Sequence, residues 1–215
     1  MKTIEDLVKN VLNKERLKRS FSVKACVYDR NARLQKQTAQ DLLKTLNRFK
    51  TESKKNSNIT KILDIGIGTG SMIPGLSDIY KDASIIGFDL AEGMVKFARQ
   101  QQYKVYLIQA DAEELPFKKE TFDLAVSNLT YQWVSDLQNA FNQVNLILVP
   151  DGVFQFTTLG AGTLSELHTS YLNAHQKTGI PAYAHGQDFV TKEEIMTALQ
   201  KAGFLKINIK VRQEK

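Results

Sequence analysis

The chain has 215 residues, 42% of them hydrophobic, and a net charge of +6. This length and apolar content suit one α/β domain with a full core. No apolar run approaches the roughly 18 residues that a membrane-spanning helix needs, and the first residues include acids where a signal peptide would be apolar. With a single cysteine, Cys26, no intramolecular disulfide is possible, so we expect a cytoplasmic protein.

The charge is unevenly distributed along the chain. Residues 1–50 contain 13 Lys and Arg against 5 Asp and Glu, a net charge of +8, whereas the remaining residues contain 16 against 18, a net charge of −2. A basic segment of this kind indicates an acidic partner, either a nucleic acid or a small acidic protein. A solvated helix surface would give the same count, so charge alone does not choose between these interpretations.

The first 50 residues are predicted to form a helical cap. Apolar residues at helical spacing predict one amphipathic helix over residues 3–19 and a second over residues 35–49. Residues 50–58 are polar and unpatterned, so we interpret them as a surface linker. The cap is therefore assigned to residues 1–50 and the main domain to residues 59–215, within one folded unit.

Strands and helices then alternate along the chain. Short β-branched runs predict the strands, and longer segments with helical periodicity predict the helices between them. The predicted strands are residues 59–65, 84–89, 104–109, 122–127 and 153–158, and the predicted helices are residues 72–80, 91–102 and 137–148. This alternation predicts an α/β fold with a doubly wound, mostly parallel sheet, whose ligand-facing loops lie along the carboxyl edge of the strands.

Four further elements follow the fifth strand. A capping box, Thr191 with Glu194, marks the start of the last helix. The clean alternation after Gly203 is typical of a strand with one solvated face. The predicted elements are a helix over residues 163–175, a loop over 179–187, a helix over 192–202 and a strand over 205–211.

A glycine-rich turn follows the first strand, at Gly66, Gly68 and Gly70. Glycines let the backbone turn sharply and let a ligand approach the main chain, and the amides of the next helix would point at that ligand. Ser71 stands where the dinucleotide pattern G-x-G-x-x-G requires its third glycine. The pattern G-x-G-x-G after a strand containing Leu-Asp resembles motif I of the class I methyltransferases, which use S-adenosylmethionine. A tight turn without a ligand is the alternative.

Acidic residues lie at the ends of three successive strands. Asp89, with Leu90 beside it, could accept hydrogen bonds from both ribose hydroxyls of the cofactor, or cap the next helix. Asp111 could accept the adenine amino group, while the amide of Ala112 faces a ring nitrogen. Asp64 could orient the glycine turn or hold the ammonium group of the methionine part. Three acids in this arrangement favour a nucleoside site more strongly than the glycines alone.

Three other segments resemble one branch of the family, the malonyl-[acyl-carrier-protein] O-methyltransferases of biotin synthesis. They are F-S…Y-D…A-R-L-Q over residues 21–35, S-N-L-T-Y-Q-W over residues 127–133 and T-T-L-G-A-G-T-L-S-E-L over residues 157–167. Ile67 departs from the commoner Cys or Ala of this branch. A seventh, antiparallel strand normally follows in the family and has no counterpart here, so we expect the last sheet strand to be missing.

The resemblance implies methyl transfer to the free carboxylate of a malonyl thioester on acyl carrier protein, an early step of biotin synthesis. That carboxylate is already ionised at pH 7. Positioning and the exclusion of water are therefore expected to suffice, without a catalytic base or a metal. Acyl carrier proteins are acidic, so the basic segment is a candidate dock. We expect a monomer that has no membrane or nucleic-acid partner.

The same resemblance assigns residues around the cofactor and the acceptor. Tyr28 could close over the methionine end of the cofactor, and Asn128 ends the fourth strand beneath it. Arg33, like Arg30, is a candidate cation for the malonyl carboxylate, although either could be a solvated surface residue. An aromatic pair after the fourth strand could wall the acceptor pocket or pack in the core. The candidate substrate-binding residues are Arg33, Tyr131 and Trp133.

Three other functions remain open at this stage. A small-molecule methyltransferase acting on a quinone precursor, another phenol or an acid would share every cofactor residue, but a phenolic acceptor would need a nearby base. A nucleic-acid methyltransferase is compatible with the basic charge, although residues 128–131 lack the Pro-rich or Cys motif expected there. A non-catalytic protein that has kept the fold is the third alternative.

Overall fold

The computed structural model describes residues 13–52, 58–178 and 189–213. Two N-terminal helices precede an alternation of strands and helices, and two more helices follow the last strand. In chain order the elements are α1 (Lys14–Asn31), α2 (Arg33–Glu52), β1 (Lys61–Ile65), α3 (Ile73–Ile79), β2 (Ser84–Asp89), α4 (Glu92–Gln100), β3 (Tyr106–Gln109), β4 (Phe122–Asn128), a 3₁₀ turn (Tyr131–Trp133), α5 (Leu137–Ile147), β5 (Leu148–Thr157), α6 (Ser165–Thr178) and α7 (Lys192–Lys201).

The five strands form one sheet in the order β3-β2-β1-β4-β5, and every pair of neighbours is parallel. Strand β1 lies at the centre, where Leu63 pairs with Ile86 of β2 on one side and with Ala125 of β4 on the other. Its side chains from residue 62 onward are buried, as expected for a parallel strand covered on both faces. The predicted doubly wound fold is confirmed.

Helices cover both faces of this sheet. Because side chains alternate along a strand, Ile62 packs with Leu46 of α2 and Leu76 of α3 on one face. On the other face Leu63 packs with Phe141 of α5 and the helix α7. The carboxyl ends of the strands, at the edge between these two cores, are left free to form a site.

The N-terminal helices differ in extent from the prediction. Helix α1 runs without a break from Lys14, after a cap in which the Asn13 side chain accepts the amide of Arg16 at 2.9 Å, whereas the predicted helix ended at residue 19. Its continuation packs against α4, where a Cβ on Gly93 would lie 2.4 Å from the carbonyl oxygen of Ser22. Residues 1–12 of the predicted helix lie outside the described residues.

The C-terminal region corrects two predictions. Residues 205–211 do not form a strand: Ile207 and Ile209 pack against the core, while Leu205 and Val211 are 94% and 77% exposed. The alternation of apolar and polar residues determines which side chains are buried, but a strand also needs a neighbouring strand for its backbone hydrogen bonds. Residues 205–211 do not pair with β5, which remains the edge of the described sheet. Strand β5 begins earlier than predicted, at Leu148, with an irregular register opposite β4.

The remaining C-terminal elements follow the prediction more closely. Helix α7 starts with the predicted capping box, in which Thr191 and Glu194 hydrogen-bond reciprocally. Helix α6 starts and ends two to three residues later than the predicted 163–175. The predicted loop over residues 179–187 lies outside the described residues. Among the helices that the structure describes, none combines the length and apolar character needed to cross a membrane.

Candidate active site

A cavity lies at the carboxyl edge of the sheet, between the strand ends and helix α1. The space that the centre of a water molecule can occupy in it is about 100 Å³, and about 740 Å³ lies between its lining residues when the open mouth is included. One face of α1 forms its roof, since residues spaced three, four or seven apart share a side of a helix. The roof residues are Lys14, Leu17, Lys18, Phe21 and Tyr28.

The glycine turn after β1 forms part of the cavity wall. Gly66 and Gly68 line the cavity, with φ angles of 69° and 55° that favour glycine. A Cβ on Gly66 would lie 2.1 Å from Oγ1 of Thr130, so this position also lacks the space for a side chain. Gly70, the third predicted glycine, is not part of the lining and instead approaches the ring of Tyr103. The turn thus brings bare backbone to the cavity at two of the three positions.

Asp89 at the end of β2 braces this turn. Its Oδ2 atom accepts the Gly68 amide at 2.9 Å, and its Oδ1 atom accepts the Ala91 amide at 2.8 Å. Burial raises the pKa of Asp89 to about 6, against the opposing effect of these backbone donors. Leu90 lines the cavity beside it. The two predicted roles, binding a ligand and supporting the start of a helix, are therefore geometrically compatible.

Asp64 lies in the core just before the glycine turn. It is 2% exposed, and its Oδ2 atom has no hydrogen-bond partner in the part of the chain that the structure describes. Burial, reinforced by the charge of Asp89, raises the pKa of Asp64 to about 7. Asp64 does not line the cavity. A buried carboxylate with an unused acceptor beside the turn fits a cationic group, held directly or through water.

Asp111 and Ala112 line the opposite end of the cavity, after β3. The Oδ1 atom of Asp111 accepts the Glu113 amide at 2.9 Å, and its Oδ2 atom accepts a hydrogen bond from Nζ of Lys14 at 2.7 Å. Lys14 also lies 3.1 Å from Oε2 of Glu113. Burial alone would lower the pKa of Lys14, but the hydrogen bonds to Asp111 and Glu113 raise it. The sequence interpretation missed Lys14, although its spacing from Phe21 and Tyr28 marks one helix face.

Asn128 at the end of β4 faces the cavity and is fixed on both sides. Its Nδ2 atom donates to the backbone carbonyl of Gln35 in α2 at 2.9 Å, and its Oδ1 atom accepts the hydroxyl of Thr157 at 2.7 Å. Tyr28 also lines the cavity, and burial followed by the charge of Asp89 raises its pKa. The two polar side chains therefore approach the cavity from the sheet and from the roof.

The two aromatic residues that were predicted to wall the acceptor pocket lie in different places. Trp133 lines the cavity, and its ring meets that of Phe21 edge-on with centroids 5.6 Å apart. Tyr131 does not: it is 3% exposed and packs between Phe141 and Phe156 in the core. The 3₁₀ turn that carries both residues directs positions two apart to different sides. The prediction that Tyr131 walls the acceptor pocket is corrected accordingly.

Arg33 also lies outside the cavity. It lines a separate, shallow concavity at the corner between α1 and α2, together with Arg30 and Lys36. Asp29 connects this surface to the glycine turn, because its Oδ1 atom accepts the hydroxyl of Thr69 at 2.7 Å. Arg33 is therefore not placed to contact a ligand held in the cavity, which corrects its predicted role.

Comparisons with known proteins agree with this geometry. A family model described as a methyltransferase domain matches residues 63–156. A malonyl-[acyl-carrier protein] O-methyltransferase of Geobacter sulfurreducens is 33% identical over 202 residues, 93% of this chain and 73% of that protein. Its counterpart in Bacillus anthracis is 37% identical over 188 residues, 86% of this chain and 68% of that protein.

Solved structures resemble the chain in fold. A methyltransferase from Thermotoga maritima superposes with a TM-score of 0.56 at 24% identity, covering 86% of this chain and 80% of its own. Phosphoethanolamine N-methyltransferase 2 of Haemonchus contortus, in complex with S-adenosyl-L-methionine, gives a TM-score of 0.55 at 26% identity, covering 68% of this chain and 33% of its own. The first is an S-adenosylmethionine-dependent methyltransferase, and the second was solved with S-adenosyl-L-methionine bound.

The residues present fit that cofactor. The cavity offers bare backbone at Gly66 and Gly68, carboxylates at Asp89 and Asp111, and the unused acceptor of Asp64 close by. Together with the comparisons, this set identifies S-adenosylmethionine as the methyl donor. The chain belongs to the malonyl-[acyl-carrier protein] O-methyltransferase family of S-adenosylmethionine-dependent methyltransferases.

Proposed function

We propose that this enzyme methylates the free carboxylate of a malonyl thioester carried by acyl carrier protein, giving the methyl ester at an early step of biotin synthesis. The observation that carries the proposal is the 33–37% identity to curated enzymes of that name over 86–93% of the chain. The shape and charge of the cavity add support on both the cofactor side and the acceptor side.

On the cofactor side, five residues are assigned to binding. Asp89 would hold the ribose hydroxyls, and Asp111 with the amide of Ala112 would hold the adenine. Tyr28 covers the methionine end, and Asp64 balances its positive charge. S-adenosylmethionine supplies an electrophilic methyl group on a sulfonium sulfur. The protein's contribution is to fix that group's direction and to keep water away from it.

On the acceptor side, the wall that follows β4 is uncharged. It consists of Asn128, Leu129, Thr130, Trp133 and Val134. A malonyl carboxylate is ionised at neutral pH and reacts without a general base, so the methyl-transfer step needs no proton acceptor in this wall. A phenolic acceptor, as in a quinone-directed methyltransferase, would require a base, and this wall contains neither a carboxylate nor a histidine.

For the carrier, the candidate dock is the concavity formed by Arg30, Arg33 and Lys36. All three side chains are exposed and carry positive charge. Asp29 in the same concavity is bonded to the glycine turn, so this surface adjoins the site. We therefore reassign Arg33 from the malonyl carboxylate to the acidic carrier. Attraction of this kind weakens as salt is raised.

A labelled-methyl assay tests the acceptor. Malonyl-carrier protein, malonyl-coenzyme A, a catechol and bulk RNA are offered side by side, and base-labile carboxyl methylation of the malonyl thioesters alone is expected. Methylation of the catechol or the RNA would overturn the proposal.

Substitutions test the dock. Arg30→Ala combined with Arg33→Ala is expected to raise KM for the carrier substrate about tenfold, as for a lost pair of charged contacts, and to leave KM for malonyl-coenzyme A unchanged. Arg19→Ala, an exposed α1 residue outside both the concavity and the cavity lining, is the control. Equal effects on both substrates would remove the docking role.

The monomeric state, the cytoplasmic location and the division between a cap ending at residue 50 and a domain starting at residue 59 stay predictions.

A further inference from the structure

Lys14 joins the roof of the cavity to the loop after β3. Its ammonium group lies 2.7 Å from Oδ2 of Asp111 and 3.1 Å from Oε2 of Glu113. The side chains of Lys14 and Asp111 are only 31% and 29% exposed, so the pair is partly shielded from solvent. Of the ion pairs in residues 13–52, 58–178 and 189–213, these two are the ones that connect α1 to another element of the site.

Other contacts that attach the roof to the rest of the protein lie further along α1. The rings of Phe21 and Trp133 are in contact, and the amide of Gly93 donates to Oγ of Ser22 at 3.2 Å. At the far end, Asp29 accepts the hydroxyl of Thr69. Lys14 therefore holds the first turn of α1 over the end of the cavity where Asp111 lies, and the other contacts hold its middle and its last turn.

Lys14 binds the same carboxylate that is assigned to the adenine, Asp111. The Oδ1 atom of Asp111 accepts the Glu113 amide, and its Oδ2 atom accepts the hydrogen bond from Lys14. Each carboxylate oxygen has two lone pairs, so Asp111 can accept an adenine amino group while both of these bonds remain. Glu113 gives Lys14 a second anchor that does not depend on the ligand.

We propose that Lys14 is a positioning residue that holds α1 closed over the cofactor and sets the rate at which S-adenosylmethionine enters and S-adenosylhomocysteine leaves. The inference rests on the cofactor and on the proposed role of Asp111, and it does not depend on which acceptor is methylated. Losing Lys14 leaves the first turn of α1 without its ionic attachment, so ligand exchange becomes faster in both directions.

Trp133 makes this exchange measurable. It is the chain's single tryptophan, it lines the cavity and it contacts the roof through Phe21. Stopped-flow tryptophan fluorescence would follow release of S-adenosylhomocysteine from wild type and Lys14→Met, without any acceptor present. We expect release to accelerate about tenfold in the variant, the effect of losing a charge-assisted hydrogen bond. Added salt should accelerate release from wild type but not from Lys14→Met.

Two further variants keep the test sharp. Glu113→Gln retains an oxygen for hydrogen bonding but loses the charge, so an intermediate acceleration is expected. Arg19→Met removes a cation from an exposed part of α1 outside the lining, and its release rate should match wild type. Release from Lys14→Met at the wild-type rate would overturn the proposal. So would a lowered unfolding temperature with unchanged release, because that result would make Lys14 merely structural.

Discussion

Thr69 in the glycine turn donates a hydrogen bond of 2.7 Å to the carboxylate of Asp29 near the end of α1. The loop that faces the cofactor and the helix that covers it are thus joined by one pair of side chains. Thr69 is buried, at 4% exposure. A buried hydroxyl without its acceptor is costly, so this pair contributes to stability and also fixes the roof relative to the turn.

Breaking this pair should loosen the roof at its last turn. Asp29→Ala is expected to weaken binding of S-adenosylhomocysteine about five- to tenfold and to lower the free energy of unfolding by about 1–2 kcal/mol. Titration calorimetry and urea unfolding measure the two effects. Thr69→Ser retains the hydroxyl and should behave like wild type. If Asp29→Ala and Thr69→Val proved additive, the two residues would not act through a shared contact.

Gly66 and Gly68 provide a matched pair of substitutions. Both have positive φ, but a Cβ at residue 66 would meet Thr130 at 2.1 Å, whereas a Cβ at residue 68 has nothing within 4 Å. Gly68→Ala should therefore lower the free energy of unfolding by about 1–2 kcal/mol through backbone strain alone. Gly66→Ala adds overpacking, so a loss of about 2–4 kcal/mol is expected.

A second substitution can verify the cause of that difference. Removing the obstructing side chain in the double variant Gly66→Ala/Thr130→Ala should recover part of the loss in urea unfolding. A Gly66→Ala variant no less stable than Gly68→Ala would show that Thr130 moves aside without cost.

The pKa of Asp64 makes stability depend on pH. Its folded value is about 7, above the roughly 3.9 of an unfolded chain. The folded state therefore binds the proton more tightly, and the resulting stabilisation is present below about pH 4 and is lost as pH rises through about 7. Asp64→Asn cannot ionise, so the ligand-free variant should exceed wild type in stability at about pH 8 by on the order of 2 kcal/mol.

Urea unfolding at about pH 5 and about pH 8 checks this prediction. In Asp64→Asn the free energy of unfolding should still fall with rising pH, but less steeply. Asp89, with a pKa of about 6, is also raised by folding and so changes stability in the same direction. The exposed substitution Asp82→Asn is a control that should leave the wild-type pH profile unchanged. Identical profiles for wild type and Asp64→Asn would contradict the raised pKa that burial gives Asp64.

The hydroxyl of Tyr131 is buried and has no partner among the described residues. Tyr131→Phe is therefore expected to leave the free energy of unfolding unchanged or to raise it by up to about 1 kcal/mol. The rate of methyl transfer should remain at the wild-type value, whereas Trp133→Ala, which opens the cavity wall, should lower it. A slower Tyr131→Phe enzyme would return Tyr131 to the acceptor site.

The sheet could be predicted from sequence because its strands carry their own signal. Strand β2 was predicted with the observed bounds, since a β-branched run between turn residues suits a buried parallel strand. Helix α1 was not, because residues 21–29 include Ser, Val, Cys and Tyr, which have modest helix propensity. Packing against Gly93 stabilises that helix, and this contact is a tertiary effect that local periodicity does not report.

The site was predicted unevenly for a similar reason. Asp89 is the last residue of β2 and Asp111 comes shortly after β3, so the topology alone brings them to one edge. Tyr131, Trp133 and Arg33 depend on the path of a turn and of a helix corner, and sequence spacing does not determine either. Lys14 was missed because its partners are almost 100 residues away in the chain.

The bond between Asp89 and the Gly68 amide has a consequence for the energetics of ligand capture. The Asp89 carboxylate, which is assigned to the ribose, already fixes the glycine turn in the ligand-free protein. Little conformational freedom of the turn therefore remains to be lost when a nucleoside binds. Preorganisation of this kind improves affinity by reducing the entropy lost on association. We therefore expect a nucleoside to bind with little rearrangement of the glycine turn.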